Sequence, residues 1–83
     1  MDRYLFTARS VTHAQQMTRL LEQDGIYVKV RRVGSGVTKD GCGYTLEIPA
    51  RQYARAAERL RTQENRPVKV LFVSGGKTRE VAL

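Results

Sequence analysis

Cys42-Gly43-Tyr44-Thr45-Leu46-Glu47-Ile48-Pro49 alternates with period two, Tyr44, Leu46 and Ile48 falling on one face and Thr45 and Glu47 on the other. That is the pattern of a half-buried strand beginning near Cys42 or Gly43. Pro49 ends it, and its fixed φ suits the first turn of a following helix. Upstream, Ile26, Val28 and Val30 alternate with Tyr27, Lys29 and Arg31 as another half-buried strand, and Gly34 to Gly41 reads as the loop between the two. Before that, Arg3 to Ala8 is aromatic and β-favouring, a first strand. Ser10 or Thr12 is a candidate N-cap for the helix that follows, with Ala14, Met17, Leu20 and Leu21 at helical spacing and Gly25 as its stop. Downstream of Pro49, Tyr53, Ala57 and Leu60 form the inward stripe of a second helix, with Ala50, Ala54 and Ala56 as small neighbours. Arg51, Arg55, Arg59 and Arg61 go mostly outward. Pro67 opens a last strand, Val68 to Val73, with Val68, Val70 and Phe72 inward, and Ser74-Gly75-Gly76 breaks it.

The order is β-α-β-β-α-β. Right-handed crossovers then put two helices on one face of a four-stranded antiparallel sheet, an α+β, ferredoxin-like arrangement. Residues 1–76 read as one domain, and 77–83 as a short basic tail with the option of an edge strand through Val81 and Leu83. Eighty-three residues bury roughly 60% of their unfolded surface, which excludes a deep two-domain cleft. No segment approaches the roughly 18 consecutive apolar residues of a membrane span. Met-Asp-Arg-Tyr-Leu-Phe at the start is no signal peptide, so the expected location is the cytoplasm. One cysteine excludes an internal disulfide framework, and with one histidine it leaves no self-contained metal site and calls for no cofactor. Fifteen Lys and Arg against eight Asp and Glu give a net charge of +7. That excess favours anionic partners (nucleic acid, an acidic protein surface, small anions) or is a solvated surface only.

The topology gives the lone cysteine a setting. In this order the first and third strands are antiparallel neighbours, so the start of the third lies beside the end of the first, which feeds the first helix. Cys42 is thereby expected at the same edge as Arg9, Ser10, Thr12 and His13, with the 34–41 loop closing over it. A helix N-terminus offers unpaired N–H groups and partial positive charge, which favour a thiolate or persulfide. Arg9, Lys39, Arg31 and Arg32 are expected to add to that field, and Gly41 and Gly43 to keep the sulfur open to a partner's backbone. The plainer alternatives are a cysteine buried as a small hydrophobe, a solvated His13, and Ser10 and Thr12 acting only as caps.

Other cysteine chemistries fit poorly. Cys-x-x-Cys is impossible with one cysteine, and Gly43 to Ile48 contains no Arg to close a phosphatase-type anion loop. A Cys-His protease pair could only be Cys42 with His13, in a chain with little room for a cleft and no evident Asn or Asp orienter.

Tyr4-Leu5-Phe6, Ser10-Val11-Thr12-His13-Ala14, Leu20-Leu21, Gly25-Ile26 and the Cys42-Gly43 pair together resemble the selenium/sulfur carrier-like family of small bacterial and archaeal proteins, over roughly residues 3–50. The resemblance implies a carrier whose cysteine takes sulfur or selenium, as a persulfide or selenopersulfide, from a cysteine desulfurase-type donor and hands it to a biosynthetic acceptor protein. Carried over, Cys42 holds the chalcogen, Gly43 shapes the approach, and Thr12 and His13 line the site. Two departures stand out: the loop before the cysteine has Gly34-Ser35-Gly36 where proline is usual, and the chain is more basic than expected of the family.

Two further classes compete. RNA-recognition modules share the element order and stack bases on aromatics of strands one and three, for which Tyr4, Phe6 and Tyr44 are candidates. Asp40, Cys42 and Glu47 depart from the third-strand signature of those modules. A non-catalytic interaction module, recruiting a partner through an edge strand or the tail, is the third class.

Overall fold

The computed structural model describes residues 2–32, 44–61 and 66–81. Its elements are β1 (Arg3–Thr7), α1 (Val11–Gln23), β2 (Lys29–Arg32), β3 (Tyr44–Pro49), a 3-10 turn (Ala50–Gln52), α2 (Tyr53–Arg59), β4 (Val70–Ser74) and β5 (Lys77–Val81). The strands form one antiparallel sheet in the order β2-β3-β1-β4-β5. The sheet thus has five strands where the sequence led to four. The difference arises at Gly75 and Gly76, whose φ values of 56° and 80° are left-handed at both positions. Such a pair twists a two-residue turn to suit a hairpin, so the chain reverses instead of leaving the sheet. Lys77–Val81 then pairs along β4 from Ser74↔Lys77 to Val70↔Val81.

Register decides which face is apolar. Tyr4 and Phe6 lie opposite Ile48 and Leu46 on one side and Phe72 and Val70 on the other. Ala14, Met17 and Leu21 of α1 and Ala56 of α2, with Leu60 just after it, pack into the same cluster as Phe6, Leu46, Ile48 and Val70. Both helices therefore cover one sheet face. Phe6, Met17, Leu21, Leu46, Ile48 and Leu60 are fully buried, and each contributes roughly 1.5–3 kcal/mol of hydrophobic stabilisation.

Val68 departs from the inward position expected of it and is exposed. Thr7 donates its N–H to the Lys69 carbonyl, while its own carbonyl accepts from Val68 N–H. Two residues thus oppose one, which is the geometry of a β-bulge and takes Val68 out of the alternation.

Helix α1 is closed at both ends. Ser10 is the N-cap, its hydroxyl accepting the His13 N–H at 3.1 Å. At the C-terminus Gly25, with φ 73°, donates to Glu22 O, and Ile26 donates to Leu21 O. This is the double hydrogen bond of a Schellman motif, and Leu21 and Ile26 supply its apolar contact within the core. Two arginines of α2 reach the same end. Arg55 donates to the Asp24 carbonyl at 2.5 Å, and Arg59 sits 3.5 Å from the Asp24 carboxylate. Cations at a helix C-terminus complement its dipole. Arg55 and Arg59 are therefore not simply outward-facing charge.

Candidate functional site

The site begins with a strand register. Thr7 pairs with Thr45, and Ala8 donates its N–H to the Tyr44 carbonyl at 3.1 Å. On the far side of β3, Arg32 pairs with Tyr44 and Arg31 with Thr45. The start of β3 is therefore flanked by the end of β1, which leads through Arg9 into α1, and by the end of β2. Lys39, Gly41, Cys42 and Gly43, together with the side chain of Arg32, lie outside the described residues.

At the helix start, Arg9, Ser10 and Thr12 are exposed, whereas His13 is buried at 2% exposure. The Arg9 N–H donates to His13 Nδ1 at 3.0 Å. With the Ser10–His13 bond this is a variant of the capping box in which the third helical residue reaches back past the N-cap to accept from the residue before it. Nδ1 can accept only when unprotonated, so the bond fixes the neutral Nε2–H tautomer. His13 is thus a fastener of the turn between β1 and α1, and the solvated alternative for it does not hold. The available signal was the Ser-x-x-His spacing itself.

Arg31 is turned another way. Its guanidinium lies 3.2 Å from Glu47, which also takes Arg3 at 3.5 Å. Glu47 is half-buried on the sheet face away from the helices and gathers Arg31, expected from the sequence to add to the field around Cys42, together with Arg3. Half-exposed pairs of this kind contribute little stability but fix where the charge points.

Beside the same edge runs a groove of about 440 Å³ between one flank of α1 and β2, with Val11, Ala14, Val30 and Tyr44 among its lining residues. Val11 and Val30 are 46% and 45% exposed, so this is apolar surface open to solvent. It was not foreseen, because it is created by the separation of a helix from an edge strand and has no local sequence pattern.

The aromatic side chains of the strands lie on the helix side of the sheet. Tyr4 stacks on Tyr53 at 3.9 Å between centroids and packs against Phe72 at 4.9 Å, while Phe6 is fully buried. Burial, reinforced by Tyr4 and opposed by Arg61, raises the Tyr53 phenol above its ordinary value. By register, the described strand residues of the sheet face away from the helices are Arg3, Leu5, Thr7, Lys29, Arg31, Thr45, Glu47, Pro49, Leu71, Val73, Thr78 and Glu80. None is aromatic. Tyr4, Phe6 and Tyr44 therefore cannot form the open-face stacking platform that the RNA-recognition reading requires of them.

Among the described residues, no helix is long and apolar enough to cross a membrane. No curated protein and no solved structure matches the chain. Residues 3–71, which include β1 through the start of β4, match the family described as "Putative Se/S carrier protein-like", and the chain belongs to that family.

Proposed function

We propose that the protein carries sulfur or selenium on Cys42, as a persulfide or selenopersulfide, from a cysteine desulfurase-type donor to a biosynthetic acceptor protein. Family membership supports the carrier role. The observation that carries it to this residue is the Ala8–Tyr44 hydrogen bond, which sets the start of β3 against the turn into α1. Cys42 is two residues before Tyr44, a covalent reach of at most about 7 Å. The partial positive charge of the α1 N-terminus and the exposed Arg9 favour an anionic sulfur within that reach. The order β2-β3-β1-β4 supports a ferredoxin-like reading of the fold, with β5 as an addition outside β4.

The transfer balances without an external oxidant. The Cys42 thiolate attacks the terminal sulfur of a donor persulfide, a new S–S bond forms on Cys42, the donor's S–S bond breaks, and the donor leaves as a thiolate. A chain with one cysteine holds no second thiol to resolve the persulfide as an internal disulfide. The chemistry suits a reducing cytoplasm.

Intact mass spectrometry after incubation with a cysteine desulfurase and cysteine tests this. Wild type is expected to gain about 32 Da, one sulfur atom, and Cys42→Ala to gain nothing. Equal loading of the two chains, or an alkylation profile giving Cys42 an ordinary pKa near 8.5, overturns the proposal.

A further inference from the structure

We propose that the open edge of β2 and the groove beside it dock an extended, acidic and apolar segment of a partner protein, which adds to the sheet as a sixth strand. Strand β2 stands at one end of the sheet order and, among the described residues, pairs with β3 alone. No described strand pairs with its outer edge, and an edge of that kind offers the N–H and C=O groups that β-strand addition uses. Val30 points toward the helix layer, opposite the buried Leu46, yet α1 does not reach over it and it stays 45% exposed. The groove of about 440 Å³ between Val30, Tyr44 and the α1 flank of Val11, Ala14, Arg19 and Glu22 is the space an incoming apolar side chain would fill.

The alternation of a strand then dictates the occupant. A residue paired with Val30 points into the groove and must be apolar. Its two neighbours point to the opposite face, one across from Lys29, where an acid is favoured, the other across from Arg31, whose guanidinium Glu47 already engages. Among the described residues, Lys29 and Arg19 form no ion pair. A second copy of this chain is a poor occupant. Antiparallel β2–β2 pairing sets the Lys29-Val30-Arg31-Arg32 run against itself, and like charges directly opposite are destabilising. Single-stranded nucleic acid is poorer still, since Tyr44 is the one ring among the described residues lining the groove and is already half-buried. Where Cys42 is the carrier residue, the segment belongs to the donor or acceptor, because Tyr44 is two residues from it; that clause alone rests on the function proposed above.

The test uses the Cys42→Ser chain, so that thiol chemistry plays no part, and a fluorescein-labelled peptide of about eight residues alternating Glu and Val. Anisotropy is expected to show saturable binding, with amide shift changes concentrated at residues 29–31, Val11 and Tyr44. Val30→Asp is expected to weaken it at least about tenfold and Lys29→Glu about threefold, with the charge contribution fading in high salt. Absence of binding, shifts centred elsewhere, equal affinity for a Lys–Val peptide, competition by a uridine decamer, or dimerisation through β2 overturns the docking site. Sulfur loading of the wild-type chain is read separately. Loading lost with peptide binding intact strikes the carrier role alone, and the reverse strikes the docking site alone.

Discussion

Thr45 and Thr7 face each other across β1 and β3 and illustrate opposite fates for a buried hydroxyl. Both are essentially without solvent exposure. Thr7 Oγ1 accepts from the Lys69 N–H at 2.7 Å and donates to the Lys69 carbonyl at 3.3 Å, so it holds the bulged segment against β1. Thr45 Oγ1 has no hydrogen-bond partner among the described residues. A buried hydroxyl left alone forfeits its hydration, a cost of about 1–3 kcal/mol. Thr45→Val keeps the branched shape and removes that cost, and is expected to raise unfolding free energy by about 1 kcal/mol. Thr7→Val removes both hydrogen bonds of Oγ1 to the Lys69 backbone and is expected to lower it by about 1–2 kcal/mol. Urea titration of the two variants checks the contrast: shifts of the same sign would show that these hydroxyls do not behave as their partners require.

At the scale of an element, α1 shows how far residue type alone can reach. Ser10 and Gly25 mark its ends by their chemistry, and the structure uses both. His13 is half legible, since the spacing from Ser10 is that of a capping box but the acceptor is an imidazole. Arg55 and Arg59 are not legible from their own helix. Their α1 partners stand 31 and 36 residues away in sequence, and only the packed pair of helices brings them together. The Schellman turn offers a clean energetic test. A Cβ built on Gly25 meets no atom within 4 Å, so any cost of Gly25→Ala comes from the backbone and none from crowding. Holding an L-residue in the left-handed region costs roughly 1–2 kcal/mol. Gly25→Ala is expected to lose that much in thermal or chemical unfolding, and Gly25→Asn distinctly less. Equal losses for the two would mean that α1 ends by some means other than this turn.

Across the whole molecule, the apolar pattern of β1 and β3 was enough to assign the buried face, because alternation is local and burial follows it. The candidate site was legible only in part. The neighbours of β3's start followed from topology, but Cys42 lies outside the described residues, and the α1–β2 groove exists only once helix and strand are packed. The largest misreading, four strands for five, lay in treating Gly75-Gly76 as a break, although two glycines between β-favouring runs are equally a hairpin signal. Strand β5 lies beyond the family-matched residues, so whether it matters to this chain is an experimental question with a physical answer. Val81 packs against the core cluster, and the Arg79 guanidinium lies 5.6 Å from the centroid of the Phe72 ring. Val70-Leu71-Phe72-Val73-Ser74, the strand it covers, is uncharged, free of proline and strongly β-favouring. Such a run at an open edge is a template for pairing with other chains, whereas β5 presents Lys77, Arg79 and Glu80 in its place. Deleting residues 77–83 is therefore expected to cost at least about 2 kcal/mol, from lost Val81 burial and cation–aromatic contact together. It is also expected to make the chain associate as its concentration rises. Urea midpoints and sedimentation velocity measure the two effects independently. A truncated chain that stays monomeric with an unchanged midpoint would show that β5 neither stabilises the sheet nor shields its edge.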